Sequence, residues 1–152
     1  MRSPEELSAL FRARGLKVTP QRQCIFSLLT GDESHPTAEA VFANAAAIMP
    51  SISLKTVYQT LNDLAAMGEI AQLDLGTGAS RFDPNVEEPH HHLVCERCGK
   101  VRDLHADFGE LEVPIRARQG FRLGSPEITF RGVCADCTES STGTTTTKER
   151  HG

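Results

Sequence analysis

The chain has 152 residues, a formal net charge of −4 and 39% apolar residues, with one tyrosine and no tryptophan. That is material for one or two small domains with modest cores, and the acidic balance excludes indiscriminate nucleic-acid binding: any DNA contact must come from a local basic face. No stretch reaches the 18 apolar residues of a membrane span, and the opening residues Met1 to Glu6 lack the apolar region of a secretory signal. A cytoplasmic protein without a membrane partner is expected, with its five cysteines reduced.

Residues 1–24 carry a local excess of three positive charges. Leu7, Leu10 and Phe11 recur at helical spacing, which predicts a short amphipathic helix closed by Gly15. Thr19-Pro20 reads as the N-cap and first residue of a second helix, with Ile25, Leu28 and Leu29 as its apolar stripe. Thr37 caps a third, alanine-rich helix over 38–48, with Val41, Phe42, Ala45 and Ile48 on one face. Ser51 or Ser53 caps a fourth, over about 53–67, stopped by Gly68. Leu54, Val57, Leu61, Leu64 and Ala65 form its apolar face, and Lys55, Thr56, Tyr58, Gln59 and Asn62 lie mainly opposite. Alternation around Gly76-Thr77-Gly78 predicts a hairpin over 71–83. Helices followed by a two-stranded ribbon give a winged-helix layout, with 53–67 as the recognition helix. Lys17, Arg22 and Lys55 are candidate phosphate contacts, and Thr56, Tyr58 and Gln59 complete the expected DNA-binding set.

The domain boundaries read as a winged-helix domain over 1–84, a hinge linker over 85–89, a small second domain over 90–137 and a disordered tail over 138–152. In the second domain, short strands are expected at 93–94, 101–104 and 128–133, with a helix over 108–118. The fold class is therefore α+β.

Cys95-Glu96-Arg97-Cys98 and Cys134-Ala135-Asp136-Cys137 form two C-x-x-C turns. Each presents two thiolates to one ion, and two such turns complete the tetrahedral sulfur shell of a structural zinc site with no open position. Redox-active dithiols or a pair of disulfides are the alternatives. Cys24 stands alone and reads as a small buried residue. His90-His91-His92 precedes the first turn. In an extended segment His90 and His92 share a face, and Asp83, Asp103 and His35 are candidates to complete a mixed nitrogen–oxygen set suited to Fe(II), Mn(II) or Zn(II). His105 and His151 read as surface residues.

Taken in order, Thr19-Pro20-Gln21-Arg22, His35-Pro36-Thr37-Ala38, Ser53 to Tyr58, Arg81-Phe82-Asp83, His90 to Lys100 and Cys134 to Cys137 resemble the ferric uptake regulator (Fur) superfamily of bacterial metal-responsive repressors. The resemblance spans about residues 5–137. It implies an N-terminal winged helix-turn-helix DNA-binding domain, a C-terminal α/β dimerisation domain, and a homodimer on double-stranded operator DNA. It also implies a regulatory metal at His35, Asp83, His90, His92 and Asp103. Aspartates at 83 and 103 are the pattern of the peroxide-sensing (PerR) branch, whereas the iron-sensing branch has glutamate there. In that branch Fe(II) reacts with peroxide and a ligand histidine is oxidised, His35 and His90 being the matching positions. DNA is then released and oxidative-stress genes are expressed. Mn(II) in the same site represses without sensing. Peroxide would be the signal, not a substrate, and the protein would not be an enzyme. Gln59 stands where many members have arginine, a departure that bears on the operator sequence. The competing readings are an iron-availability repressor, a zinc hydrolase or deaminase built on the histidines, and a dithiol redox module.

Overall fold

The computed structural model describes residues 1–141, and it divides into two compact units, Met1–Pro89 and a second that begins at His90. Among the described residues no helix is long and apolar enough to cross a membrane.

Four helices build the first unit: α1 (Pro4–Ala13), α2 (Pro20–Leu29), α3 (Ala38–Ile48) and α4 (Leu54–Ala66). Each starts on a hydroxyl cap. Ser3, Thr19, Thr37 and Ser53 accept the backbone N–H of Glu6, Arg22, Ala40 and Thr56, satisfying one otherwise orphaned donor per helix. Gly15 (φ 73°) and Gly68 (φ 73°) take the left-handed conformation that ends α1 and α4. Leu7, Phe11, Ile25, Phe26, Leu29, Val41, Ala45, Val57, Leu61 and Leu64 form one buried core, in which Phe11 and Phe26 meet edge to face at 4.9 Å between centroids. The hairpin β1 (Ala71–Leu73) and β2 (Arg81–Asp83) is antiparallel, and an isolated bridge from Arg81 to Thr37 ties it to the start of α3. This is the winged-helix arrangement.

Four apolar positions differ from the periodic reading. Ile48 is 63% exposed, because Met49, the C-cap, already turns the chain away from the helical face. Leu54 is 37% exposed, since it is the first residue of α4 and lies beyond the core edge. Phe26, absent from the expected stripe of α2, is fully buried in place of half-buried Leu28. Cys24 is half-buried against the core.

The second unit is a three-stranded sheet in the order β4-β3-β5, from β3 (His91–Cys95), β4 (Val101–Leu104) and β5 (Thr129–Gly132), followed by α5 (Ala135–Ser141). β4 pairs antiparallel with β3 through the tight turn at Gly99, whereas β5 pairs parallel and requires the long crossover 105–128. The expected helix over 108–118 does not form. Gly109 sits at φ 71° and Pro114 offers no amide donor, so only a 3₁₀ turn, Ile115–Ala117, survives. The expected disordered tail does not begin at 138. Thr138 donates both its backbone N–H and its hydroxyl to the Cys134 carbonyl, and α5 continues through Ser141. The remainder of that expectation, with His151, lies outside the described residues. Val94, Cys95 and Val101 are the buried apolar side chains of this unit among the described residues, a core too thin to carry it alone.

Candidate metal centres and nucleic-acid interface

In the first unit His35 and Asp83 are brought together by strand pairing. His35 lies between α2 and α3 at φ 53°, a left-handed backbone that a non-glycine residue adopts only when its surroundings enforce it. Three contacts enforce it: the Arg81 Nη1 donates to the His35 carbonyl at 3.2 Å, the Phe82 N–H donates to the Pro36 carbonyl at 2.9 Å, and the bridge joins Thr37 to Arg81. Asp83, two residues along β2, places Oδ2 3.3 Å from His35 Nε2, while its Oδ1 accepts the Asn85 N–H at 2.8 Å. Both side chains are buried.

In the second unit the register of β3 and β4 sets His92 directly opposite Asp103. Asp103 Oδ1 is 3.1 Å from His90 Nε2 and 3.8 Å from His92 Nε2, and the His90 and His92 rings stand 4.9 Å apart. The alternation expected for an extended segment is thus present. His91 turns elsewhere, its Nδ1 accepting the Ile128 N–H at 3.0 Å. The exposed His105 ring lies 5.6 Å from that of His90, a neighbour that spacing alone did not bring forward. Each unit therefore offers imidazole nitrogens beside one aspartate, a donor set that fits a borderline divalent ion.

The four sulfurs of Cys95, Cys98, Cys134 and Cys137 lie within 4.8 Å of one another. Cys98 and Cys134 are 3.7 Å apart. A Zn–S bond of about 2.3 Å places the corners of a tetrahedron roughly 3.8 Å apart, so the sulfurs already stand close to a zinc shell. The first turn is shaped by Cys95 N–H to the Lys100 carbonyl and Gly99 N–H to the Cys95 carbonyl, both 2.9 Å, with Gly99 at φ 74°. The N–H of Cys134, 3.3 Å from Cys95 Sγ, and then that of Cys98 pull the Cys95 thiol down to about 6, against the effect of burial. A hydrogen bond with the Cys134 sulfur, with burial adding to it, pushes Cys137 up to about 12. Amide donors aimed at Cys95 favour its thiolate, the form a metal takes. Outside the shell, Arg97 donates to the Cys137 carbonyl at 3.2 Å, and Lys100 pairs with Asp136, binding the two turns together.

On the DNA-reading side, Val57, Thr60, Leu61 and Leu64 turn α4 inward, leaving Lys55, Tyr58, Gln59 and Asn62 exposed. Lys17 is also exposed. Thr56 is half-buried, its hydroxyl 2.9 Å from that of Ser53 at the cap. Arg22, a candidate phosphate contact, is engaged within the protein. Its side chain is 11% exposed, donates to the Lys17 carbonyl at 2.8 Å, pairs with Asp63 at 3.3 Å and lies 5.3 Å from the Phe11 ring centre. It braces α1, α2 and α4 against one another.

Fold and donor sets together define a winged-helix regulator with a separate metal-binding α/β domain. Residues 13–131 match the ferric uptake regulator family, and the chain belongs to that family. The peroxide-responsive repressor PerR of Staphylococcus epidermidis is 35% identical over 136 residues, covering 89% of this chain and 90% of that protein. PerR of Staphylococcus aureus is 34% identical over 134 residues, covering 88% and 90%. Among solved structures, a zinc-bound manganese uptake regulator is 31% identical with a TM-score of 0.68, covering 88% of this chain and 99% of that one. The Helicobacter pylori ferric uptake regulator, described as having three functional metal binding sites, is 26% identical with a TM-score of 0.71, covering 88% and 90%.

Proposed function

We propose that this chain is a metal-dependent transcriptional repressor that senses peroxide by oxidation of a ligand histidine and so controls oxidative-stress genes. The observation that carries the reading is the make-up of the two half-sets: Asp83 against His35, and Asp103 against His90 and His92, with aspartate as the carboxylate in both. The likeness to PerR over most of both chains favours this reading over an iron-availability repressor.

In this reading His35, Asp83, His90, His92 and Asp103 would hold the regulatory Fe(II) or Mn(II). When bound there, Fe(II) would supply electrons for the reduction of peroxide beside a ligand ring, and Mn(II) would not readily do so. His35 and His90 are the oxidation-sensitive positions. An oxidised ring is a poorer donor, so affinity for the regulatory metal would fall. Because metal and DNA each favour one arrangement of a homodimer, their affinities are reciprocally coupled, and loss of one releases the other. Cys95, Cys98, Cys134 and Cys137 hold structural Zn(II), which supports a sheet whose own core is thin. Lys17 and Lys55 contact phosphates, and Tyr58 and Gln59, with Thr56 at the helix start, face the bases of a two-fold operator. The protein works in the cytoplasm and is not an enzyme.

The test loads the full chain with Fe(II) or Mn(II) and measures DNA binding before and after brief peroxide exposure. The Fe(II) form is expected to lose DNA and to gain one oxygen on the peptide carrying His35 or His90, while the Mn(II) form stays bound. Equal loss with Mn(II), with oxidation confined to cysteines, would overturn the histidine mechanism. No response to peroxide, with release on iron removal, would make it an iron-availability repressor.

A further inference from the structure

We infer that Glu39 is a positioning residue for DNA reading: by holding the Tyr58 hydroxyl it decides which part of Tyr58 the recognition helix offers to a base pair. The inference rests on the DNA-binding reading above. Tyr58 Oη donates to Glu39 Oε1 at 2.6 Å. The two residues are 19 apart in sequence and sit on different helices, Tyr58 on the outward face of α4 and Glu39 in the first turn of α3. Both are exposed, Tyr58 by 39%, so burial does not force the contact.

A tyrosine side chain turns about two bonds, and an anchored hydroxyl fixes both. The anchor also occupies the one proton that Tyr58 can donate. A donor is what the guanine N7 and O6 edge and a phosphate oxygen require. What remains to Tyr58 is the ring surface and the oxygen lone pairs, which suit a thymine methyl or an amino group of adenine or cytosine. Glu39 thus removes one kind of contact and steadies the others. A carboxylate beside the polyanionic backbone weakens binding to all sequences alike. Its placement in the first turn of α3 suits the helix dipole, so a helix-stabilising charge is the competing account. The hydrogen bond also holds Glu39 below its ordinary carboxylate range and Tyr58 above its ordinary phenol range.

The experiment uses Mn(II)-loaded full-length protein and a duplex selected from a random-sequence pool by the unaltered chain. Affinity is measured for that duplex and for its single-base-pair variants, with E39Q, E39A, Y58A, Y58F and E39A/Y58F. Glutamine keeps an acceptor oxygen and loses the charge, whereas alanine loses both. E39Q is expected to raise affinity for every duplex and keep discrimination. E39A is expected to relax discrimination about tenfold at the positions that Tyr58 reads. In the Y58F background E39A should change discrimination no further. Because Tyr58 is the only tyrosine and there is no tryptophan, tyrosinate absorbance reports it alone, and its alkaline midpoint should fall in E39A. Identical behaviour of E39Q and E39A, or an unchanged tyrosinate midpoint, overturns the positioning role and leaves a helix-stabilising charge. If Y58A loses discrimination while E39A does not, only this inference fails. If Y58A is indistinguishable from the unaltered chain, or no duplex is selected, the DNA-reading assignment fails and the inference with it.

Discussion

Arg81 fastens the backbone of His35 to the strand that carries Asp83, donating from Nη1 to the His35 carbonyl at 3.2 Å. The contact holds a histidine in a left-handed conformation that costs on the order of 1–3 kcal/mol, with its ring 3.3 Å from the Asp83 carboxylate. This bond is made to the backbone, so it acts on where the His35 ring is placed. R81A is expected to weaken Mn(II) binding by about 10–100-fold, the range for losing a group that orients a ligand. Zinc content should not change. Competition with a graded chelator, alongside zinc analysis, measures both; an unaltered Mn(II) affinity would show that β2 pairing suffices.

The four thiolates carry a different expectation. With so little buried apolar surface in the second unit, C95S or C134S should lose zinc and the cooperative melting of that unit together. Metal analysis and thermal denaturation check this. A zinc-free variant that still melts cooperatively in the second unit would contradict it.

Arg22 and Lys55 should separate in salt dependence. Arg22 is spent on Asp63, the Lys17 carbonyl and the Phe11 ring, so R22A should lower the melting temperature of the first unit. K55A should leave melting unchanged and reduce the slope of log affinity against log salt by roughly 0.9, one phosphate contact. Parallel melting and salt titrations distinguish the two, and the reverse pattern would reassign Arg22 to the DNA face.

Within α4, L61A is expected to destabilise the first unit by about 2–5 kcal/mol, since Leu61 is fully buried, and L54A by well under 1 kcal/mol. Urea denaturation measures both. Similar losses at the two sites would mean that Leu54 packs more deeply than its 37% exposure indicates.

The tie between Tyr58 and Glu39 has a defined pH range. Glu39 is depressed by the Tyr58 hydroxyl, so its contribution is complete above the ordinary carboxylate value of about 4.5 and is lost as pH falls through its lowered value. Tyr58 is raised by the same bond, so its contribution is complete below the ordinary value of about 10 and is lost as pH rises through its raised value. Tyrosine emission should therefore be flat through neutral pH and change on the acid side only below the usual carboxylate range. The acid transition should be missing in E39A.

Much of this was legible from residue types and spacing. Thr19-Pro20, Thr37 and Ser53 mark helix starts because a hydroxyl cap is a local interaction, settled within three residues. The cysteine pairs declare a shared ion because their spacing is itself the geometry of a turn. The face shared by His90 and His92 follows from the two-residue period of a strand. Other features depend on distant partners. Nothing local to Arg22 points to Asp63, 41 residues on, or nothing near Glu39 to Tyr58. Over 108–118 the apolar spacing pointed to a helix, but Gly109 and Pro114 decide the backbone. Helical continuation through Thr138 depends on the Cys134 carbonyl, which composition does not reveal.

Cys95 ends β3 opposite Gly132, the last residue of β5, and Cys98 and Cys134 follow just beyond. An ion held there works as a ruler: it sets how far β5 slides along β3, independently of what the side chains prefer. Residues gained or lost in the crossover 105–128 are absorbed before the strand begins. One residue inserted between Gly132 and Cys134 displaces the strand by a single step, and a single step exchanges its two faces, turning Phe130 to where Thr129 and Arg131 now point. The spacer from β5 to its cysteine therefore tolerates far less change in length than the much longer crossover before it.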